Sequence, residues 1–145
     1  MRKILALLIF VGACASGART GPGGQLTGSA APRLAVEQFL NAVKAQDIQA
    51  MSSIFGTNDG PARDNIDRAE LEKRMLIMQC FFNHDKFRIT GDGMQAGKRV
   101  FQFELTRGTR TRQSSAQVVE GPSQRWYVES MDIAAVRDFC AEPKQ

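Results

Sequence analysis

The side chains that could do acid–base, nucleophilic or metal chemistry are few and far apart. His84 is the only histidine, and neither Asp85 nor a nearby cysteine stands at an offset that would make it a catalytic or metal-binding partner. Glu70 and Glu72 lie two residues apart, which on a helix points their carboxylates in different directions. Residues 58–60, Asn-Asp-Gly, lack the ligand spacing of an EF-hand. We therefore predict no catalytic residue, no metal and no cofactor, and we place His84 in a helix-to-strand turn.

The first residues predict a cleaved export signal. Basic residues precede an apolar run, residues 4–11, that is too short to cross a bilayer as a helix. Residues 11–14, Val-Gly-Ala-Cys, resemble the bacterial lipobox, the motif whose cysteine is diacylated and becomes the mature N-terminus. We expect residues 1–13 to be removed and Cys14 to carry lipid that attaches the protein to the membrane. The alternative is an ordinary signal peptide cleaved after Ala15, which would discard Cys14.

Residues 14–32 are predicted to form a flexible tether. They are rich in Gly, Ser, Thr, Ala and Pro and show no apolar periodicity, which is typical of a linker. Alanine follows Cys14, where proteobacterial lipoproteins of the inner membrane tend to have aspartate. By this resemblance we expect the outer membrane, facing the periplasm. The remaining residues, 33–141, number about 110 and suit one domain.

Cys80 and Cys140 are the two cysteines of the predicted domain. An exported chain with an even number of cysteines after processing typically pairs them. We expect a disulfide that ties the end of a helix to the C-terminal segment and closes a loop of about sixty residues. Two separate buried thiols are the alternative.

The first half of the domain predicts three helices. Apolar residues recur at helical spacing over residues 34–46, and Asp47 predicts the N-cap of a second helix, with Gly56 as its left-handed C-cap. Asp67 predicts the start of a third helix, with Glu70 placed for a capping box. The apolar stripe of that helix is predicted to be Leu71, Met75, Met78 and Phe82.

From Lys86 onward the apolar period changes to two, which predicts strands. Residues 98–107 form the clearest strand, and Asp132 predicts the cap of a last short helix. The strands are predicted to be separated by glycine-containing turns at residues 91–93, 108–109 and 121–123. Segregated helices and strands indicate an α+β fold: three N-terminal helices packed on a curved antiparallel four-stranded sheet, followed by a short C-terminal helix.

This order resembles the nuclear-transport-factor-2-like superfamily, also called ketosteroid-isomerase-like or SnoaL-like. Members begin with a helix of the form x-V-x-x-F-x-x-A-x-x-x-x-D, continue with a short second helix that ends in an aromatic residue, and finish on a strand with a W-x-V pattern. The matching residues are Val36, Phe39, Ala42, Asp47, Phe55, Trp126 and Val128. The resemblance covers about residues 32–133 and implies a cystatin-like cone that encloses a pocket. The isomerases use a tyrosine in the first helix, and Tyr127 is the only tyrosine here, so no family catalytic role transfers.

The implied pocket would be lined by Phe39, Phe82, Phe101, Phe103 and Trp126, and the same residues suit a filled core equally well. We therefore predict a cell-envelope lipoprotein that binds a small apolar ligand or an envelope protein rather than catalysing a reaction. One alternative is a small-molecule isomerase or hydratase with Glu129 or Glu104 as a buried base. Another is a homodimeric assembly module that pairs through its sheet.

The net charge does not indicate a nucleic-acid partner. The formal charge of +4 falls when the basic leader residues are removed, which leaves too weak a bias for that class. Arg107, Arg110 and Arg112 cluster near one predicted hairpin, where they could attract anionic lipid headgroups. The alternative is a solvated outer strand face that discourages edge-to-edge pairing.

Overall fold

The computed structural model describes residues 26–141. The predicted signal peptide, Cys14 and most of the predicted tether lie outside these residues. The helices are α1 (Pro32–Ala45), α2 (Ile48–Ile54), α3 (Ala62–Asn65), α4 (Arg68–Phe82) and α5 (Arg137–Cys140), with short 3-10 turns at Pro122–Gln124 and Ala134–Val136. The strands are β1 (Gly56–Thr57), β2 (Gly60–Pro61), β3 (Lys86–Gln95), β4 (Lys98–Arg107), β5 (Arg110–Glu120) and β6 (Trp126–Met131). No described helix is long and apolar enough to cross a membrane.

The first two helices meet at the predicted junction. Gln46 adopts a left-handed conformation (φ 56°), and its N–H donates to carbonyls of the last turn of α1. The Asp47 carboxylate then accepts a hydrogen bond from the Ala50 N–H at 2.9 Å and begins α2. The Asp47 cap is therefore confirmed, and α1 ends and α2 begins within two residues because Gln46 supplies the left-handed turn.

The predicted left-handed C-cap at Gly56 is wrong. Helix α2 is capped by Phe55 in an extended conformation, and Gly56 begins β1. Glycine is needed at residue 56 because a Cβ there would collide with the Gly60 carbonyl and come within 2.9 Å of the Tyr127 ring. Close approach of two chain segments, and not a positive φ, explains this glycine.

Helix α4 begins as predicted. The Asp67 carboxylate accepts from the N–H groups of Ala69 (3.0 Å) and Glu70 (3.2 Å), which confirms the N-cap. The Glu70 carboxylate pairs with Arg74 at 2.9 Å and does not complete a capping box. The segment between α2 and α4 contains the short β1–β2 ladder and α3. The predicted stripe of Leu71, Met75, Met78 and Phe82 is buried.

The sheet has the order β3-β4-β5-β6, and every pairing is antiparallel. The bounds of β4 agree with the prediction. The predicted turn at residues 91–93 is wrong, because β3 continues through it with a register shift between Ile89 and Gly91, and the chain turns at residues 96–97. A bulge bends a strand without ending it, so glycine here marks an irregularity and not a hairpin.

Helices pack against this four-stranded antiparallel sheet, which confirms a mixed α+β fold. Helix α1 lies against β4, β5 and β6, and α4 packs against α1, α2 and α5. The largest buried side chains of the core include Phe39, Leu40, Met51, Met75, Phe82, Phe103, Leu105, Val128 and Phe139. Within residues 26–141, the short helix α3 makes four helices before the sheet, where the sequence predicted three.

The segment before α1 belongs to the folded domain. Ser29 is buried and forms a β-bridge with Trp126, and the Gly28 N–H donates to the Ser53 carbonyl at 2.7 Å. Consecutive residues Tyr127 and Val128 are both buried. The Tyr127 ring packs against Gly28, while Val128 belongs to the hydrophobic core. Gly28 and Ser29, which the composition assigned to the predicted tether, are therefore hydrogen-bonded to the folded domain.

Candidate functional site

The residues predicted to line an interior pocket form packed core. The side chains of Phe39, Phe82, Phe101 and Phe103 are buried, and the rings of Phe82 and Phe103 lie 6.3 Å apart. Trp126 is half-buried at the border of the same cluster. These five residues line none of the surface concavities between α2 and α4, between α4 and β6, or beside β3. The structure thus brings the predicted residues together, but as a hydrophobic core.

The two carboxylates considered as a buried base are both paired with cations. Glu104 on β4 lies 3.4 Å from Arg88, and Glu129 on β6 forms an ion pair with Lys98. Both glutamates keep part of their side chains exposed. Each glutamate is therefore half of an ion pair that reaches solvent, and not a carboxylate isolated in an apolar cavity.

His84 lies between α4 and β3, in the predicted turn, but its burial was not predicted. The ring is only 3% exposed, its Nδ1 is 2.8 Å from the Phe82 carbonyl, and it meets the Phe87 ring edge-on. Burial lowers the pKa of His84 below the usual 6.5. Its Nε2 has no hydrogen-bond partner among the described residues. The described residues also contain no cluster of three side chains suited to hold a metal.

The arginine cluster holds the C-terminal helix. Arg107 donates to the Phe139 carbonyl, and Arg110 donates to the Asp138 carbonyl at 2.7 Å. Arg112 binds the Asp138 carboxylate through two nitrogens, at 2.6 and 3.3 Å, and its hydrogen bond lowers the pKa of that carboxyl. Each of the three arginines thus has a partner in α5, while the side chains of Arg110 and Arg112 stay partly exposed. They fix α5 against the sheet.

Cys80 and Cys140 lie at the other side of α5. Their sulfurs are at disulfide-bonding distance, and their Cα atoms are 5.0 Å apart. The pair joins the last turns of α4 and α5, which is the connection that the sequence predicted. Together with the three arginines, it attaches the C-terminal helix from both sides.

A largely apolar concavity lies between α4 and β6. We call it the α4–β6 groove, and its volume is about 250 Å³. It is lined by Phe55, Arg74, Ile77, Met78, Glu129, Ser130, Met131 and Ile133. Ile77 is 43% exposed although it is a large apolar side chain. Methionine side chains at such a surface can adapt to different partners.

Helix α4 is apolar on more than its buried face. Its stripe faces the core, and Leu76 (48% exposed) and Ile77 project to the surface between two stripe residues, Met75 and Met78. A surface helix usually carries polar residues on that side. The run Met-Leu-Ile-Met at residues 75–78 is the sequence signal that could have indicated this surface.

The rim of the groove offers hydrogen-bond donors. Arg74 pairs through Nε with Glu70 at 2.9 Å, and its side chain is half-exposed. Its terminal nitrogens donate to none of the described residues. Glu129 on the opposite rim is balanced by Lys98. The groove therefore combines an apolar floor with one guanidinium group that can still donate hydrogen bonds to an anionic partner.

The other concavities are more polar. One of about 240 Å³ between α2 and α4 includes two basic and two acidic residues, so it selects no single charge. Another lies on the outer strand face and is lined mainly by polar and charged side chains, those of Lys86, Arg88, Glu104 and Thr106, beside Phe87. The α4–β6 groove is the better candidate for a binding site, because burying its apolar floor against a partner would stabilise the complex.

Comparison of the chain with protein-family models, with curated proteins and with solved structures gives no significant match in any of the three.

Proposed function

We propose that this protein is a bacterial cell-envelope lipoprotein whose domain acts by binding. The lipid anchor would be Cys14, and the alanine that follows it favours the outer membrane, facing the periplasm. The α+β architecture and the helix caps support a nuclear-transport-factor-2-like cone, with the main N-terminal helices on a curved sheet. Four of the five predicted pocket residues are buried and Trp126 is half-buried against the same core, which favours a surface site over an interior one.

The α4–β6 groove is the observation that carries the proposal. It is apolar and lies beside exposed Ile77 on a helix whose outer side should be polar. Pockets that enclose a small molecule typically have volumes of about 300–1,000 Å³ and surround most of the ligand. A groove of about 250 Å³ at the surface is better matched to side chains of a protein partner. We therefore favour an envelope protein over a small apolar ligand.

The isomerase or hydratase alternative has less support. Glu104 and Glu129 each have a neighbouring cation, and His84 is buried against Phe87. A general base must reach a substrate, and these residues surround no common cavity. Binding requires only the groove and its rim.

Native mass spectrometry of the protein extracted from its own membrane tests the proposal. The wild-type protein is compared with two variants, Ile77→Ser and Leu76→Ser. Both replaced side chains are exposed on α4, but only Ile77 lines the groove. The denatured mass of the same sample reports whether Cys14 carries lipid.

We expect a bound partner mass with the wild type and with Leu76→Ser, and its loss with Ile77→Ser. A partner retained equally by both variants would place binding elsewhere. A doubled mass that survives both changes would support pairing through the sheet instead. Absence of any bound species in all three samples would contradict the binding proposal.

A further inference from the structure

We propose that the partner segment is an extended peptide that adds a strand to the outer edge of β6 at residues 129–131. An apolar side chain of the peptide would fill the α4–β6 groove, and an acidic group would bind Arg74. This inference rests on the proposed function and specifies the partner that the same groove takes.

The outer edge of β6 is only partly covered by the chain itself. Ser29 pairs with Trp126 through two backbone hydrogen bonds, and Phe55 forms a parallel bridge with Val128. Within residues 26–141, no bridge to this edge follows Val128. The sheet therefore ends at residues 129–131 with a row of backbone groups that an added strand can pair.

The open part of the edge runs along the groove. Ser130 and Met131 belong to the edge and also line the groove, and Ile77 and Met78 face them from α4. Alternate side chains of a strand point to the same face. A strand paired to residues 129–131 would therefore direct alternate side chains toward the apolar floor. Backbone pairing would provide affinity, and the groove would select apolar residues.

The charges at the rim of the α4–β6 groove favour an acidic residue in the bound peptide. Arg74 keeps its terminal nitrogens without a partner among the described residues, whereas Glu129 is already paired with Lys98. A peptide carboxylate can therefore bind Arg74 without displacing its Nε bond to Glu70. A lysine at the same peptide position would face the guanidinium and be repelled.

The opposite edge of the sheet suits an added strand less well. Both edge strands carry a register shift, β3 between Ile89 and Gly91 and β6 at Glu129, which has no partner residue on β5. The β3 edge differs in its exposed Lys86 and Arg88, and edge charges discourage pairing with another strand. The concavity beside β3 has one apolar side chain, Phe87, among four polar or charged ones, whereas most of the side chains that line the α4–β6 groove are apolar.

Peptides of about seven residues, the length of an ordinary strand, provide the test. The set alternates apolar residues (Val, Ile, Leu or Phe) with threonine, and ends in Asp, Ser or Lys. Binding to the full processed chain is measured by fluorescence anisotropy, and amide hydrogen exchange locates it. A second set carries N-methyl groups on alternate amides, which remove strand donors and keep the side chains.

We expect acid-ended peptides to bind about tenfold more tightly than lysine-ended ones, since a charge-assisted hydrogen bond contributes on this scale. N-methylation should abolish binding, and exchange should slow at residues 129–131. Arg74→Gln should remove the preference for acid, whereas the matched change Lys73→Gln, at an exposed neighbour on α4, should preserve it.

Several results would overturn the inference while leaving the proposed function intact. One is binding that N-methylation does not affect. Another is slowed exchange along β3 in place of β6. A third is that no peptide of the set binds while native mass spectrometry still shows a partner that Ile77→Ser removes. In that last case the groove takes a partner of different chemistry, such as a small apolar molecule or a second copy of the chain.

Discussion

Ser29 and Trp126 exchange two backbone hydrogen bonds, with N···O distances of 2.8 and 2.9 Å. This bridge attaches the segment before α1 to the outer edge of β6. Arg125 strengthens the attachment by donating to the carbonyls of Thr27 (3.0 Å) and Gly28 (2.6 Å). The segment covers the start of the edge, and the part that follows Val128 stays open beside the α4–β6 groove.

Gly28→Ala should destabilise the domain more than Gly97→Ala. Both glycines have a positive φ (66° and 77°), so both changes carry a strain of about 1–2 kcal/mol. A Cβ at Gly28 would also come within 2.8 Å of the Tyr127 ring, whereas a Cβ at Gly97 would meet nothing within 4 Å. We expect an excess loss of about 1–3 kcal/mol in the free energy of unfolding, measured in urea. Equal losses would mean that the segment does not pack on Tyr127 in solution.

Local sequence rules predicted the elements that depend on neighbouring residues. Asp47 and Asp67 cap helices, because a carboxylate needs only the amide groups of the next turn. The rules failed where a distant segment decides the outcome. Residue 56 is glycine because a side chain there would collide with Gly60 and Tyr127. Residues 91–93 remain in β3 because β4 pairs with them. Neither relationship can be read from a short window of sequence.

Replacing both Cys80 and Cys140 by alanine should lower the free energy of unfolding by about 2–4 kcal/mol, because the pair closes a long loop in the unfolded chain. The two residues are 60 apart in sequence. Urea denaturation of the oxidised wild type, the reduced wild type and the double variant gives the comparison. The reduced wild type should resemble the variant. If reduction changes nothing, the two sulfurs are not bonded in the isolated protein.

Arg112→Gln should raise the pKa of the Asp138 carboxyl toward its usual 3.8, because the Arg112 hydrogen bond is the main cause of its lowering. An NMR titration of the Asp138 side chain measures this pKa directly. Arg88→Gln is the control, since Arg88 pairs with Glu104 and not with Asp138. An Asp138 pKa that is identical in wild type and Arg112→Gln would show that α5 is not held by this ion pair.

Stability should decrease as the pH falls below about 6.5, the usual pKa of histidine. Burial lowers the pKa of folded His84, and nearby Lys44 also lowers it, while the Phe82 hydrogen bond and Asp85 raise it. The unfolded chain therefore takes up a proton first, and folding becomes less favourable until the pH reaches the folded pKa. The slope should not exceed about 1.4 kcal/mol per pH unit.

His84→Phe should flatten this dependence between pH 7.5 and 5.5, a range in which histidine is the side chain that ordinarily titrates. Because His84 is the only histidine, the wild-type slope can be assigned to it. Thermal denaturation monitored at several pH values compares the two proteins. A variant that keeps the full wild-type slope would assign the pH dependence to other groups.

The candidate site was harder to predict than the fold. The sequence indicated which phenylalanines lie together in the interior. It did not indicate whether they enclose a cavity, since the same pattern suits an open pocket and a filled core. The groove depends on Ile77 of α4 lying opposite Met131 of β6, two residues far apart in the chain. The sequence showed the arginine cluster, but it did not show its structural role, because Asp138 lies 26 residues beyond Arg112 in the chain.

Site-specific photo-crosslinking in cells that produce the full chain tests the α4–β6 groove most directly. A benzophenone amino acid replaces Ile77 in one protein and Leu76 in another, and the adducts are mapped by mass spectrometry. The binding account predicts a strong protein adduct from residue 77, a weak one from residue 76, and a smaller yield from residue 77 when Arg74→Gln is added. Equal yields from the two positions, or none from residue 77, would contradict it.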